Sequence, residues 1–436
     1  MPGLSKSARA TPAGSLQMRE ASAFIRDPCR YTSMKWPPWL NRTVFGAGIA
    51  SFFGDLGYES VTVLLPSFLI LLGAPVYALG IIEGLSDGAS SFVKLFSGYI
   101  ADKLGKRRQF ALGGSVATAI FPAFIATAGS WGMVLAGRLI GWIGKGIRSP
   151  SRDAILSRSV EKKDLGKAFG FHRAGDTLGA IAGPAMALVL VASLGIREIL
   201  WLSIIPGFLA LAAIWLFLRE KDAAPHPRPR PLAESLLNLP KRFRAFLSAV
   251  LVFGIADFSH TLLIAFAIVS LTPSLGFTLA TAAGAGLYLV RNITYAAASY
   301  PFGALGDRIG RRTMLVLGYA IAVATFIGFI IVPAGIVGYA VLFALCGIFI
   351  AAEDTLEGAL AGEMVEEESR ALGYGALAAM NGIGDLVSSV MIGFIWAFIG
   401  YSAGFLVAAV IGAAGTILLF WTTRHQTGGR DYPGAD

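Results

Sequence analysis

The chain has 436 residues, 55% of them hydrophobic and only 14% charged, and its mean hydropathy is +0.66. A soluble domain carries about 25% charged residues, so this composition excludes a chain that is mostly exposed to water. The net charge of +9 invites a nucleic-acid reading, which the placement of the bases decides below; two cysteines and four histidines in separate segments exclude a disulfide framework and a multi-histidine metal site.

Residues 1–42 are polar and rich in Arg, Ser and Pro, without an apolar h-region. A cytoplasmic tail is expected there, not a secretory signal. A membrane helix needs about 20 apolar residues. Such runs follow at 43–72, 75–101, 109–128, 131–150, 167–192, 198–218, 245–271, 278–303, 313–332, 335–358, 371–397 and 401–422. They predict an all-α membrane protein of about twelve transmembrane helices. The longest break, 219–244, is rich in Pro and charge and reads as a cytoplasmic linker. It divides the helices into bundles of six at 43–218 and 245–423, with 424–436 as a second cytoplasmic tail.

The connections alternate in charge. One set carries Lys103, Lys106, Arg107 and Arg108, then Arg148, Arg152, Lys162 and Lys163, then the basic linker, then Arg308, Arg311 and Arg312. The other set, including "GAPV", "AGS" and "VPAG", is nearly free of bases. Basic loops stay in the cytoplasm, which places both termini inside. The positive charge is then topological, and no basic stripe or aromatic platform is left for nucleic acid.

The stretch "SGYIADKLGKRRQF" at 97–110 returns as "FGALGDRIGRRTML" at 302–315. The same offset of 205 residues sets Gly170 on Gly375, Asp176 on Asn381 and Gly179 on Gly384, which marks two duplicated halves. In the first helix of each half "GDLGYES" best matches "ADFSHTL", setting Asp55 on Asp257 and Tyr58 on His260. In repeat-built transporters the substrate site lies near the midplane where the repeats meet.

An ionisable residue at the bilayer centre costs about 2.5–3.5 kcal/mol on insertion scales and is rarely idle. The first span holds Asp55, Tyr58 and Glu59, the second Glu83 and Asp87, the fourth Arg138 and the fifth Asp176. The seventh holds Asp257 and His260, the eighth Arg291 and Asn292, and the eleventh Asn381 and Asp385. These are the candidate substrate and proton-coupling residues. Lys94, Lys145 and Arg173 lie nearer the cytoplasmic ends, where pairing or snorkelling competes with a functional role. Glu353, Asp354 and Glu357 close the inner end of the tenth span. Spans 3, 6, 9 and 12 carry no such residue and are expected outside, against lipid.

With Gly98, Ala101, Asp102, Gly105, Lys106, Arg107 and Arg108 in the loop after helix 2, residues 43–422 resemble a Major Facilitator Superfamily (MFS) transporter. The second copy keeps Gly303, Asp307, Gly310, Arg311 and Arg312. The resemblance implies that Gly98 lets neighbouring helices approach, and that Asp102 and the bases hold the cytoplasmic ends together in the outward-open state. "GAIAGPAMA" at 179–187 resembles the antiporter motif of that family through Gly179, Gly183 and Pro184, with Ala187 in place of the last Gly. "LAGRLIGWIGKG" resembles its helix-4 motif, whose arginine, here Arg138, is tied to proton transfer; the glycine spacing after it is shifted.

The resemblance implies a secondary transporter, with proton-coupled antiport or efflux of a small organic molecule as the leading expectation. Proton-coupled uptake or anion export is the alternative, which Arg138, Arg173 and Arg291 leave open. "GIGD" at 382–385 fits an intramembrane aspartyl protease and supplies a remote third reading. No nucleophile elbow, P-loop or dinucleotide fingerprint occurs, so neither an enzyme nor ATP driving is expected. The expected partners are a small-molecule substrate, protons and the lipid bilayer. A multi-pass monomer of the inner membrane without cofactor or metal is the reading overall.

Overall fold

The structure is a computed structural model that describes residues 37–220, 239–366 and 370–422, without the side chains at 95, 98, 99, 102, 103, 162, 370 and 371. Cys29, the 424–436 tail and most of the N-terminal tail and linker lie outside the described residues, as do the Asp102 side chain and the surroundings of Gly98.

The N-terminal half comprises α1 (Arg42–Leu71), α2 (Val76–Leu104), α3 (Arg107–Thr127), α4 (Trp131–Arg158), α5 (Leu165–Leu194), α6 (Ile196–Leu202) and α7 (Ile204–Phe217). The C-terminal half comprises α8 (Lys241–Gly254), α9 (His260–Leu275), α10 (Phe277–Ile309), α11 (Arg311–Ile331), α12 (Ile336–Met364), α13 (Arg370–Phe398) and α14 (Tyr401–Thr422). The described residues contain no strand. Asn41 starts α1 by accepting hydrogen bonds from the amides of Thr43 and Val44, satisfying donors that a helix start leaves open. The sixth span is divided at Ser203 into α6 and α7. The seventh is broken at Ile255–Ser259 between α8 and α9, where one continuous helix was expected.

Among the described residues, eight helices are long and apolar enough to cross a membrane, with α6 and α7 taken as one. The remaining expected spans differ for physical reasons. Helices α2, α4 and α10 have 29, 28 and 33 residues but carry charged and polar residues within the span, Arg291 and Asn292 in α10, and the seventh span is split.

Helix α4 also corrects the loop assignment. Arg148 and Arg152 are not loop residues: they sit inside α4 and are 3% and 7% exposed. The sequence reading ended this helix at Pro150, yet the helix continues through it. Proline removes the N–H that would have bonded the Gly146 carbonyl. The Ser97 hydroxyl on α2 donates to that carbonyl instead, at 2.9 Å. This is how a membrane helix tolerates proline: a neighbour satisfies the freed group.

The repeated motif terminates α2 and α10. Gly105 and Gly310 adopt φ of +63° and +112°, conformations that favour glycine. The bases that follow reach the end of each half's last span. Arg108 donates to the carbonyls of Trp215 and Leu218 at 2.7 and 3.0 Å, and Arg312 donates to the Phe420 carbonyl. A cation there complements the negative end of the helix dipole. Asp307 pairs with Arg311 at 2.8 Å, and Arg311 reaches Glu363 at 3.6 Å.

The halves meet most closely at the end away from the basic loops. Gly80, Gly84 and Gly88 form a stripe on α2 against α13. A Cβ on Gly80 would stand 2.3 Å from the Ser389 carbonyl, and one on Gly84 2.8 Å from the Leu386 carbonyl. Tyr77 stacks on Phe394 at 5.2 Å, and the hydroxyls of Ser67 and Thr281 bond at 2.8 Å. Towards the basic end, no hydrogen bond or ion pair joins α4 to α12 among the described residues.

Candidate functional site

Between the halves lies a cavity of about 580 Å³. It is lined from α1 (Asp55, Tyr58, Glu59), α2 (Lys94), α4 (Lys145 to Asp153), α5 (Arg173 to Ala180), α9 (His260), α10 (Tyr288 to Tyr295) and α12 (Ile350, Asp354). A side pocket of about 420 Å³ joins it at Arg152, Asp153, Arg173 and Asp176, next to His172. Helices α3, α6, α7, α11 and α14 contribute nothing to the lining, as the clean third helices led one to expect, but neither do α8 and α13, although α13 carries the candidates Asn381 and Asp385.

Seven of the candidate residues face this cavity: Asp55, Tyr58, Glu59, Asp176, His260, Arg291 and Asn292. Glu59 accepts a 2.9 Å hydrogen bond from the Tyr288 hydroxyl, which links the halves. Tyr288 in turn stacks on His260, with centroids 4.9 Å apart. Arg291 donates to Asn292, and Asn292 donates to the Ala180 carbonyl at 2.7 Å, fixing α10 against α5. His172 bonds Ser51 at 2.6 Å and lies 3.6 Å from Asp176.

The other six candidates are not in the lining. Arg138 and Glu83 form an ion pair at 3.0 Å, with side chains 0% and 1% exposed. Arg138 also donates to Thr62 at 3.0 Å and lies over the Trp142 ring at 3.5 Å. The Trp142 indole donates to Asp87 at 2.6 Å. Asp257 sits in the break of the seventh span, its carbonyl accepting from Ser388 at 3.0 Å. Asn381 donates to Glu357 at 2.9 Å, a carboxylate that Tyr319 also donates to. The Asp385 carbonyl accepts from Ser388 as well. Asp55 and Asp257, paired by the repeat, therefore have different surroundings, because α1 is continuous where the seventh span is broken.

Sequence reasoning left several lining residues out of the candidate set. Lys145, Ser149 and Arg152 fall on one face of α4 at i, i+4 and i+7, with Arg148 at its edge. That periodicity was a usable signal once the helix is carried past Pro150. Lys145 stands 4.1 Å over the Tyr58 ring. On the other side Arg173 donates to Tyr295, and Tyr295 donates to Asp354, each at 2.8 Å, joining α5, α10 and α12.

The antiporter-like glycines have a packing role here. A Cβ on Gly179 would stand 2.4 Å from the Phe52 carbonyl and 2.8 Å from Asp55 Cβ; one on Gly183 would stand 2.8 Å from Glu59 Cβ. They bring α5 against the face of α1 that carries the two acids. Gly384, the repeat partner of Gly179, packs likewise against Gly254 at the end of α8.

The Major Facilitator Superfamily profile matches residues 47–291 and 250–432, which together cover most of the chain. The chain belongs to the Major Facilitator Superfamily. An uncharacterized MFS-type transporter of Methanocaldococcus jannaschii is 31% identical over 389 residues, covering 87% of this chain and 95% of that one. The multidrug resistance protein MdtG of Yersinia enterocolitica is 22% identical over 414 residues, covering 90% and 95%. Among solved structures, the nucleoside transporter NupG matches with TM-score 0.72 at 16% identity, covering 88% of this chain and 100% of that one. A bacterial homolog of the human lysosomal transporter Spinster, inward-facing and occupied, matches with TM-score 0.69 at 15% identity, covering 92% and 100%. These structural likenesses concern the fold. This MFS protein is thus a multi-pass membrane transporter of small molecules and not an enzyme.

Proposed function

We propose that the protein is a proton-coupled secondary transporter of a small charged organic molecule, working by alternating access. The observation that carries the reading is the cavity itself: ionisable residues from both halves line one space, and one of its acids, Glu59, is bonded across the interface by Tyr288. Carboxylates in such a site can take up a proton on one side and release it on the other. With the basic loops assigned to the cytoplasm, both termini lie inside, and the conformation is sealed outside by α2 on α13 and open inwards. The inner membrane and a monomeric unit belong to the same proposal. The bundle limits, 43–218 and 245–423, follow the break at the linker.

Two directions have support. The name of the multidrug resistance relatives favours efflux by antiport. A cavity in which unpaired cations outnumber unpaired acids favours movement of a proton together with an anion, the reading developed below. Reconstitution into liposomes with an imposed pH gradient of either sign tests the proposal. Gradient-driven accumulation of a ligand is the expected result. Flux indifferent to pH in the unaltered protein would remove the proton from the mechanism.

A further inference from the structure

The charges lining the cavity are not balanced pair by pair. Arg152 lies 3.0 Å from Asp153 and Arg173 lies 3.9 Å from Asp354, so these two cations have carboxylate partners. Lys94, Lys145, Arg148 and Arg291 have none within 4 Å among the described residues. Arg291 bonds only the neutral Asn292, and Lys145 rests on the Tyr58 ring. Arg148 is 3% exposed, and its Nε is buried without a hydrogen-bond partner. A guanidinium donor buried and unbonded is costly unless an acceptor arrives. Against these four cations stand three lining acids without a cationic ion-pair partner: Asp55, Glu59, held by a tyrosine hydroxyl, and Asp176, whose neighbour at 3.6 Å is the His172 imidazole.

We infer that the transported molecule is an organic anion, carrying a carboxylate or phosphate group that Lys145, Arg148, Lys94 and Arg291 receive. This rests on the transport role proposed above. The volume of about 580 Å³ falls in the range of pockets that enclose a small organic molecule. The stacked Tyr288 and His260 rings, in the same lining as Tyr58, offer aromatic surface for the rest of the ligand. Guanidinium and ammonium groups bind such anions through charge-assisted hydrogen bonds.

The same arrangement links the anion to the proton. Asp55 is faced by Lys145 and Arg148 from α4, by Asp176 from α5 and by Glu59 on its own helix. Glu59 is faced by Tyr288 and Arg291 from α10 and by Tyr58 beside it. While ionised, Asp55 and Glu59 compete with the substrate for these cations. Neutralising them releases the cations to the anion, so proton and anion bind together and are carried in the same direction.

The test uses the purified full-length protein in lipid nanodiscs and thermal shift. The probes are a panel of carboxylates and phosphate esters with the amides and amines of matched carbon skeleton. Stabilisation by carboxylates or by phosphate esters, with the matched amides and amines silent, is the expected result, and the two anion arms identify the headgroup. Stabilisation by amines or amides, or by no anion, would overturn the inference. For a stabilising anion, Lys145→Gln and Arg291→Gln should each weaken binding about tenfold, while Lys145→Arg stays close to the unaltered protein. Unchanged affinity in both glutamine variants, with melting in the absence of ligand intact, would move the anion out of this cavity. A carboxylate should bind more tightly at pH 6 than at pH 8, and Asp55→Asn should flatten that dependence. Tighter binding at pH 8 would overturn the linkage. An anion that binds but never accumulates under a pH gradient would sink the transport role and leave the binding inference standing. Uphill accumulation of amines would do the reverse.

Discussion

The Ser259 hydroxyl donates to Glu83 at 3.2 Å across the interface between the halves. Glu83 is the carboxylate that Arg138 holds at 3.0 Å, deep between α2 and α4. Ser259 closes the break of the seventh span, and its own amide donates to the Ser389 hydroxyl on α13 at 3.0 Å. One buried acid thus ties an ion pair of the N-terminal half to the discontinuous helix of the other.

The first prediction concerns that tie. Removing one partner of a buried pair leaves an uncompensated charge, which costs about 3–5 kcal/mol. Arg138→Ala and Glu83→Ala should each lower the melting temperature in detergent strongly. Arg138→Met combined with Glu83→Leu should recover most of the loss. Equal melting for the single and double variants would show that the pair carries no such energy.

Ser97 and Pro150 form a second, independent couple. Ser97→Ala should leave the Gly146 carbonyl without a donor and cost about 1–3 kcal/mol. Pro150→Ala supplies a backbone N–H to the same carbonyl. The double variant should therefore be more stable than Ser97→Ala alone, measured by melting of the purified protein. Strict additivity of the two changes would contradict the assigned role of Ser97.

The arrangement of helices was largely legible in the sequence, because apolar runs of membrane length and a duplicated motif are local signals. The clean spans 3, 6, 9 and 12 were legible for the same reason: absence of charge is read directly. Pairings were not. Nothing in the spacing of Glu83 and Arg138 says that they meet, since their contact depends on how α2 packs on α4. Arg148 and Arg152 were misplaced because the apolar run stops at 150, while the helix continues through Pro150 and the donor that compensates the proline lies on another helix. The break at Asp257 was hidden because "GIADFSH" stays apolar enough to pass for helix, and the bonds that support the opened backbone come from Ser388 and Ser389 on α13.

A third prediction addresses the seal. A Cβ at position 80 would meet the Ser389 carbonyl, which is backbone and cannot turn aside. Gly80→Val should therefore disfavour the conformation described and populate one open at the opposite end. Thr281, 1% exposed here, reports on it. In a background with Cys29 and Cys346 replaced, Thr281→Cys should react with an impermeant thiol reagent faster when Gly80→Val is present. Equal rates would show that this glycine does not set the conformational balance.

The basic motif gives a fourth. Arg108→Ala removes two donors from the last carbonyls of α7 and should cost about 1–3 kcal/mol. Exposed Lys106→Ala, two residues earlier, should stay within about 0.5 kcal/mol. If the two behave alike in thermal melting, the bases act only as topological charge.

Helix α4 presents Lys145, Arg148 and Arg152 in succession along the cavity. At a rise of 1.5 Å per residue, the steps between them are about 4.5 Å and about 6 Å along the axis. Each step is no longer than the reach of a lysine or arginine side chain. For the anion inferred above, Lys145 and Arg148 would be close enough to share one carboxylate, with Arg152, already paired with Asp153, one step further on. Such a graded row would have no single deep well and would favour fast passage over long residence.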